Sequence, residues 1–141
     1  MKILVSACLL GENCKYNGGN NLDERILRLR AEHELIPVCP ECLGGLSVPR
    51  SPAEIVDGIV TNREGIVVDK EFRRGAQAAL AIAKENAVDL AILQSRSPSC
   101  GVNRIYDGTF SGKTIEGSGI FATLMRSEGF KIVDVEDSWQ I

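Results

Sequence analysis

The stretch Val88–Gly101, VDLAILQSRSPSCG, decides how this chain reads. Its first six residues are almost all apolar and rich in strand formers. Their short length and the polar break after Leu93 suit a buried strand rather than a helix segment. Beyond Leu93 lies a loop of three serines, a proline and one cysteine, ended by Gly101. Immediately upstream, Asp69–Asn86 has helical spacing: Phe72, Ala76, Ala79, Leu80 and Ala83 fall on one face, alanine favours the helix, and Asp69 is placed to cap it. A helix feeding a buried strand that ends in a polar loop is half of a βαβ unit.

The same alternation extends both ways. Lys2–Ala7 (KILVSA) reads as a first strand, Leu22–His33 as a helix carried by Leu22, Ile26 and Leu29, and Leu35–Val38 (LIPV) as a second strand stopped at Pro40. Ile55–Val68 holds two β-branched runs joined by a Gly-containing turn, a hairpin or an excursion. Beyond a Gly-rich connection, Gly101–Gly117, Ser118 is placed to cap a helix over Gly119–Ser127, with Gly129 as its stop and Lys131–Val135 as the last strand. The expected fold is α/β: one domain over residues 1–141, a mainly parallel sheet with helices on both faces in a Rossmann-like three-layer arrangement.

At 141 residues, with 44% hydrophobic and 25% charged residues, the chain has the balance of one globular domain. A net charge of −3 offers no general basic field for nucleic acid, which points to small-molecule partners. The apolar N-terminus runs directly into cysteine and glycine rather than a cleavage site, and no apolar run approaches a membrane span. A soluble, cytoplasmic protein without a membrane or nucleic-acid partner is expected; whether a homodimer completes the site is left open. The five cysteines are an odd number. In a reducing compartment, clustered thiols point to metal binding or chemistry before disulfides.

Three of the predicted strands run straight into a cysteine: the first into Cys8, the second into Cys39, and the strand ending at Leu93 into Cys100. Parallel strands share a direction, so three distant segments deliver a thiol to one sheet edge, where open α/β sheets bind ligands. Three thiolates at one point repel, and burying them as charges is costly; a soft metal centre deprotonates and neutralises them. A [4Fe–4S] cluster takes one thiolate per iron, so three cysteines leave one iron open. Glu41, fixed beside Pro40, and Ser97 and Ser99, beside Cys100, are placed to move protons. Arg50 and Arg96 could meet substrate or balance cluster charge.

The blocks VSACLLGENCKYNGG (Val5–Gly19), PVCPECLGGLSVPRSPAEI (Pro37–Ile55) and SRSPSCG (Ser95–Gly101) resemble the signature segments of the 2-thiouracil desulfurase family, also catalogued as domain of unknown function 523. The resemblance runs over essentially the whole chain. It implies a [4Fe–4S] cluster on Cys8, Cys39 and Cys100, a fourth iron open to the sulfur of a thiolated base such as 2-thiouracil, and hydrolysis of the C–S bond with sulfide release and no net redox change. It also implies Glu41 and Ser97 as the catalytic acid–base pair. Cys42 is an addition to the CPE motif.

Plainer readings stand beside these. Any one cysteine alone is best read as a small buried hydrophobe. Cys14 reads as a structural or incidental thiol that could still reach the site, and His33 as a solvated residue at a helix end. Glu54 is as consistent with pairing to Arg50 as with any other role, and the serines with loop hydrogen bonds. A redox pair at Cys39 and Cys42 would want a helix N-terminus, for which PECLGG is a poor start. Two other functions compete: a zinc-stabilised structural or binding module on Cys8, Cys39, Cys42 and Cys100, and a sulfur-relay protein carrying persulfide on Cys39 or Cys100.

Overall fold

Short apolar strand segments such as residues 3–5 and Leu90–Leu93 can be buried only if both faces of their sheet are covered, and that is how the chain arranges them. The computed structural model describes residues 1–141. In chain order its elements are β1 (Lys2–Ser6), α1 (Glu24–Arg28), β2 (Glu34–Val38), α2 (Pro40–Leu43), β3 (Ala53–Val56), β4 (Ile59–Asn62), α3 (Asp69–Glu85), β5 (Leu90–Leu93), β6 (Arg104–Tyr106), β7 (Thr114–Glu116), α4 (Ile120–Ser127) and β8 (Ile132–Asp134). The central sheet is parallel throughout, in the order β2-β1-β5-β8.

Alternate side chains divide between two cores. Leu4, Ala91 and Leu93 face a layer made by α3 and α4, with Phe72 buried at the start of α3 and Phe121 and Met125 filling from α4. Ile3, Val5, Leu90 and Ile92 face Leu9, Ile26 and Val135 on the other side. The three-layer α/β domain expected from the sequence is the one observed. The chain moves from β1 outward to β2, then returns past β1 to β5 and β8, so the winding direction reverses beside β1. Open sheets bind ligands at such a reversal. No helix is long and apolar enough to cross a membrane.

The β3–β4 hairpin closes on Asp57–Gly58, both at positive φ (49° and 79°), as a two-residue turn matched to strand twist requires. Three features depart from the sequence reading. Asp69 does not cap α3: its carboxylate accepts the Val60 N–H and pairs with Arg73, tying the helix to the hairpin instead. Ser118 does not cap α4, because the first-turn N–H groups of Ile120, Phe121 and Ala122 are already taken by the carbonyls of Pro98 and Ser99. And the Gly-rich connection contains a second antiparallel hairpin, β6–β7, whose three-residue strands are too short to show a period.

Close backbone contact between α2 and α3 sets the position of the Cys39 segment. A Cβ built on Gly75, in the middle of α3, collides with the Pro40 carbonyl oxygen, and one on Gly44 collides with the Glu71 carbonyl oxygen. Alanine inside an exposed helix stabilises it by about 1 kcal/mol relative to glycine. Here Gly75→Ala is expected to do the reverse and destabilise the fold by about 2–3 kcal/mol through overpacking, measured by urea unfolding. Unchanged or raised stability would show that α2 does not lean on α3 as described.

Candidate active site

Each strand of the reversal ends in a device that turns its cysteine into one cavity. After β1, residues Ala7–Leu10 wind into a single 3₁₀ turn that carries Cys8, with Asn21 Nδ2 donating to its sulfur at 3.5 Å. After β2, Cys39 is the N-cap of α2, with Pro40 at the first helical position, where its fixed φ suits a helix start. After β5, the SPSC loop is folded around Ser97, whose Oγ accepts the backbone N–H groups of Ser99 (3.1 Å) and Cys100 (3.0 Å). The same loop is held from below by the first turn of α4.

These three segments open on a cavity of about 460 Å³ lined by Cys8, Cys39 and Cys100, together with Cys14, Glu41, Arg50, Ser97 and Ser99. The convergence expected from strand direction therefore holds at the level of side chains. Cys42 does not line the cavity. Its sulfur lies 4.0 Å from Arg50 Nη1 and beside the Cys39 thiol. Cys14, structural by its sequence context, shares the cavity with its thiol, and its carbonyl accepts from Arg50 Nη2 at 2.9 Å. The expectation that PECLGG starts no helix is also corrected: Pro40 and the Gly44–Gly75 contact make a single turn there.

Arg50, Glu41, Ser99 and Ser97 form a continuous hydrogen-bonded chain. Arg50 Nε donates to Glu41 Oε1 at 3.1 Å, in an ion pair whose side chains are 9% and 16% exposed. Ser99 Oγ donates to Glu41 Oε2 at 2.8 Å and lies 2.9 Å from Ser97 Oγ. With its own proton committed to Glu41, Ser99 accepts from Ser97, so Ser97 and Glu41 are joined through a buried hydroxyl. Ser99 is the link that the sequence could not single out. Arg96, the other candidate cation, turns away to a bidentate pair with Glu136, although it still borders the cavity.

The thiols themselves are not equivalent. Burial raises the Cys8 pKa, against the Asn21 hydrogen bond, and complete burial raises that of Cys100, against a hydrogen bond with Ser6. Cys39 is lowered to about 6, chiefly by a hydrogen bond from the Cys14 thiol and further by the Cys42 backbone and thiol, all opposing burial. Cys42 is pushed up to about 11, first by burial and then by its neighbour Cys39. A half-buried and a buried thiol that resist ionisation, facing one more ready to ionise, suit a donor set completed by a cationic centre, which would deprotonate all three. No three His, Cys, Asp or Glu side chains are gathered tightly enough to ligate a single ion. A polynuclear cluster asks for something different, one thiolate per iron across the width of a cubane. The residues present fit a cluster better than a closed single-ion site.

Fold and cavity together define an α/β enzyme of the sheet-edge kind, with thiols and a hydrogen-bonded carboxylate–serine chain gathered in one cavity. The chain belongs to the 2-thiouracil desulfurase family, whose model matches residues 3–137. It is 43% identical over 141 residues to the uncharacterized protein YbbK of Bacillus subtilis (strain 168), covering 93% of each chain. Among solved structures it is similar to the [4Fe–4S]-dependent thiouracil desulfidase TudS, with a TM-score of 0.89 and 39% identity over 94% of this chain and 89% of that one.

Proposed function

We propose that this protein desulfurates a small thiolated nucleobase such as 2-thiouracil, using a [4Fe–4S] cluster held by Cys8, Cys39 and Cys100 with one iron free of protein ligands. The observation that carries the reading is that these three thiols, from three strand ends of a parallel sheet, share one cavity with Glu41 and Ser97. Family membership and likeness to TudS support the same chemistry.

Bound there, the cluster would supply a Lewis-acidic iron that takes the thiocarbonyl sulfur and polarises its carbon. The remaining work falls to the chain. Glu41 accepts a proton from the attacking water, directly or through the Ser99 and Ser97 hydroxyls. The C–O bond forms and the C–S bond breaks; the relay carries both water protons in turn, the second from the new hydroxyl as it becomes the carbonyl, to the departing sulfide. Water and thiocarbonyl thus become carbonyl and hydrogen sulfide, with no electron transferred. Arg50 balances the Glu41 carboxylate and anchors the Cys14 loop, holding the relay beside the thiols.

The test is sulfide release and loss of thiocarbonyl absorbance from 2-thiouracil, using anaerobically prepared protein. Protein that retains iron yet releases no sulfide from any thiolated pyrimidine would overturn the assignment. A metal-free sulfur relay would instead carry persulfide on Cys39 or Cys100, taken from a sulfane-sulfur donor such as polysulfide, with no iron present. The Cys42→Ser variant separates the cluster from a four-thiolate zinc site. Cys42 does not line the cavity, but its thiol lies against Cys39, so the variant is expected to keep its iron while turnover shifts modestly through that neighbour. A closed site that used Cys42 would lose its metal.

A further inference from the structure

Glu54 lies in β3, outside the thiol cluster and the relay, and is buried to 9% exposure. Its Oε1 accepts two backbone N–H groups from the β6–β7 turn, Gly108 at 2.9 Å and Phe110 at 3.1 Å. Phe110 holds φ at +56°, a conformation that a bulky side chain rarely adopts, and the Glu54 bond helps fix it there. Oε2 has no hydrogen-bond partner within the chain. Oε2 is not fully sealed from open space, and Glu54 lines the cavity of the three thiols as well as a small adjoining pocket with no room for water. Tyr106 and Phe110 line that cavity too.

A carboxylate with one oxygen pinned by two amides and the other offered to a cavity is a rigid acceptor waiting for a donor. We infer that Glu54 is a specificity-determining residue whose Oε2 accepts a ring N–H of the thiolated heterocycle, so that the site selects bases carrying that N–H. The inference deepens the desulfuration reading and rests on it. A base without the N–H would leave the Glu54 oxygen desolvated and unpaired, the situation in which polar sites discriminate most strongly.

The Glu54→Gln variant separates reading from scaffolding. Its carbonyl oxygen can still accept from Gly108 and Phe110, while the atom facing the cavity becomes an N–H₂ donor opposed to the donor on the base. In the iron-loaded enzyme, KM for 2-thiouracil and the calorimetric Kd for uracil are expected to rise about 10- to 100-fold, with kcat and iron content little changed. An unchanged KM and Kd would overturn the inference. Wild type provides a check independent of folding: of 1-methyluracil and 3-methyluracil, the isomer with the recognised N–H blocked should bind at least about tenfold more weakly than uracil. Both isomers binding like uracil would refute it. Wild type that binds uracil but desulfurates nothing would defeat the catalytic reading alone.

Discussion

Replacing Cys100 with alanine is expected to abolish both cluster retention and sulfide release while leaving a folded chain. Cys100 is the deepest of the three thiols, 4% exposed, at the junction of the SPSC loop and the α3–α4 core. Losing its sulfur removes one of the three proposed thiolate ligands, and two are too few to hold a cubane in water. The cavity it leaves is small: the truncation should cost about 1 kcal/mol of stability, seen as a modest fall in urea midpoint with unchanged far-UV dichroism. Cys39→Ala and Cys8→Ala should match it in iron content, although both side chains are only half-buried and cost less to truncate. A Cys100→Ala protein that keeps its iron and its turnover would show that this thiol is core packing and nothing more.

The second large effect is expected at the relay. Glu41→Gln keeps the shape of the side chain and can still accept from Ser99, but it cannot take the proton of the attacking water. The loss in kcat should be about 10²- to 10⁴-fold, the usual contribution of a positioned general base, with iron content intact. Ser97→Ala removes the far end of the relay and also the acceptor that folds the SPSC loop around the Ser99 and Cys100 amides. It should therefore lower kcat and also loosen cluster retention, a double phenotype that Glu41→Gln lacks. Equal turnover for Glu41→Gln and wild type would remove the carboxylate from the mechanism.

Much of this is legible in the sequence because parallel topology is a strong constraint. Once Lys2–Ala7, Leu35–Val38 and Val88–Leu93 are read as strands of one sheet, the cysteines at their ends have nowhere to go but the same edge. Burial on both faces demands apolar runs, and those runs mark the strands, as at Leu90–Leu93, buried throughout. The hidden features depend on pairings between distant residues. Ser99 outranks its neighbours only because Glu41, 58 residues away, reaches it. Glu54 acquires a role only when the β6–β7 turn folds over it. Asp69 and Ser118 carry the right chemistry for caps, but tertiary partners claim them first: the Val60 amide for one, the Val102 carbonyl and Arg126 for the other. Cys42 shows the converse, since sequence adjacency to Cys39 suggests a further ligand, whereas its thiol stays beside Cys39 without lining the cavity.

The most direct measurement is a count of iron and acid-labile sulfide on anaerobically reconstituted wild type, read together with Mössbauer spectroscopy. The account predicts about four irons and four sulfides per chain, as one cubane holds, with a single iron whose signal shifts when 2-thiouracil is added. A colourless protein that keeps no iron after reconstitution, or one that binds a single zinc ion through four thiolates, would contradict it.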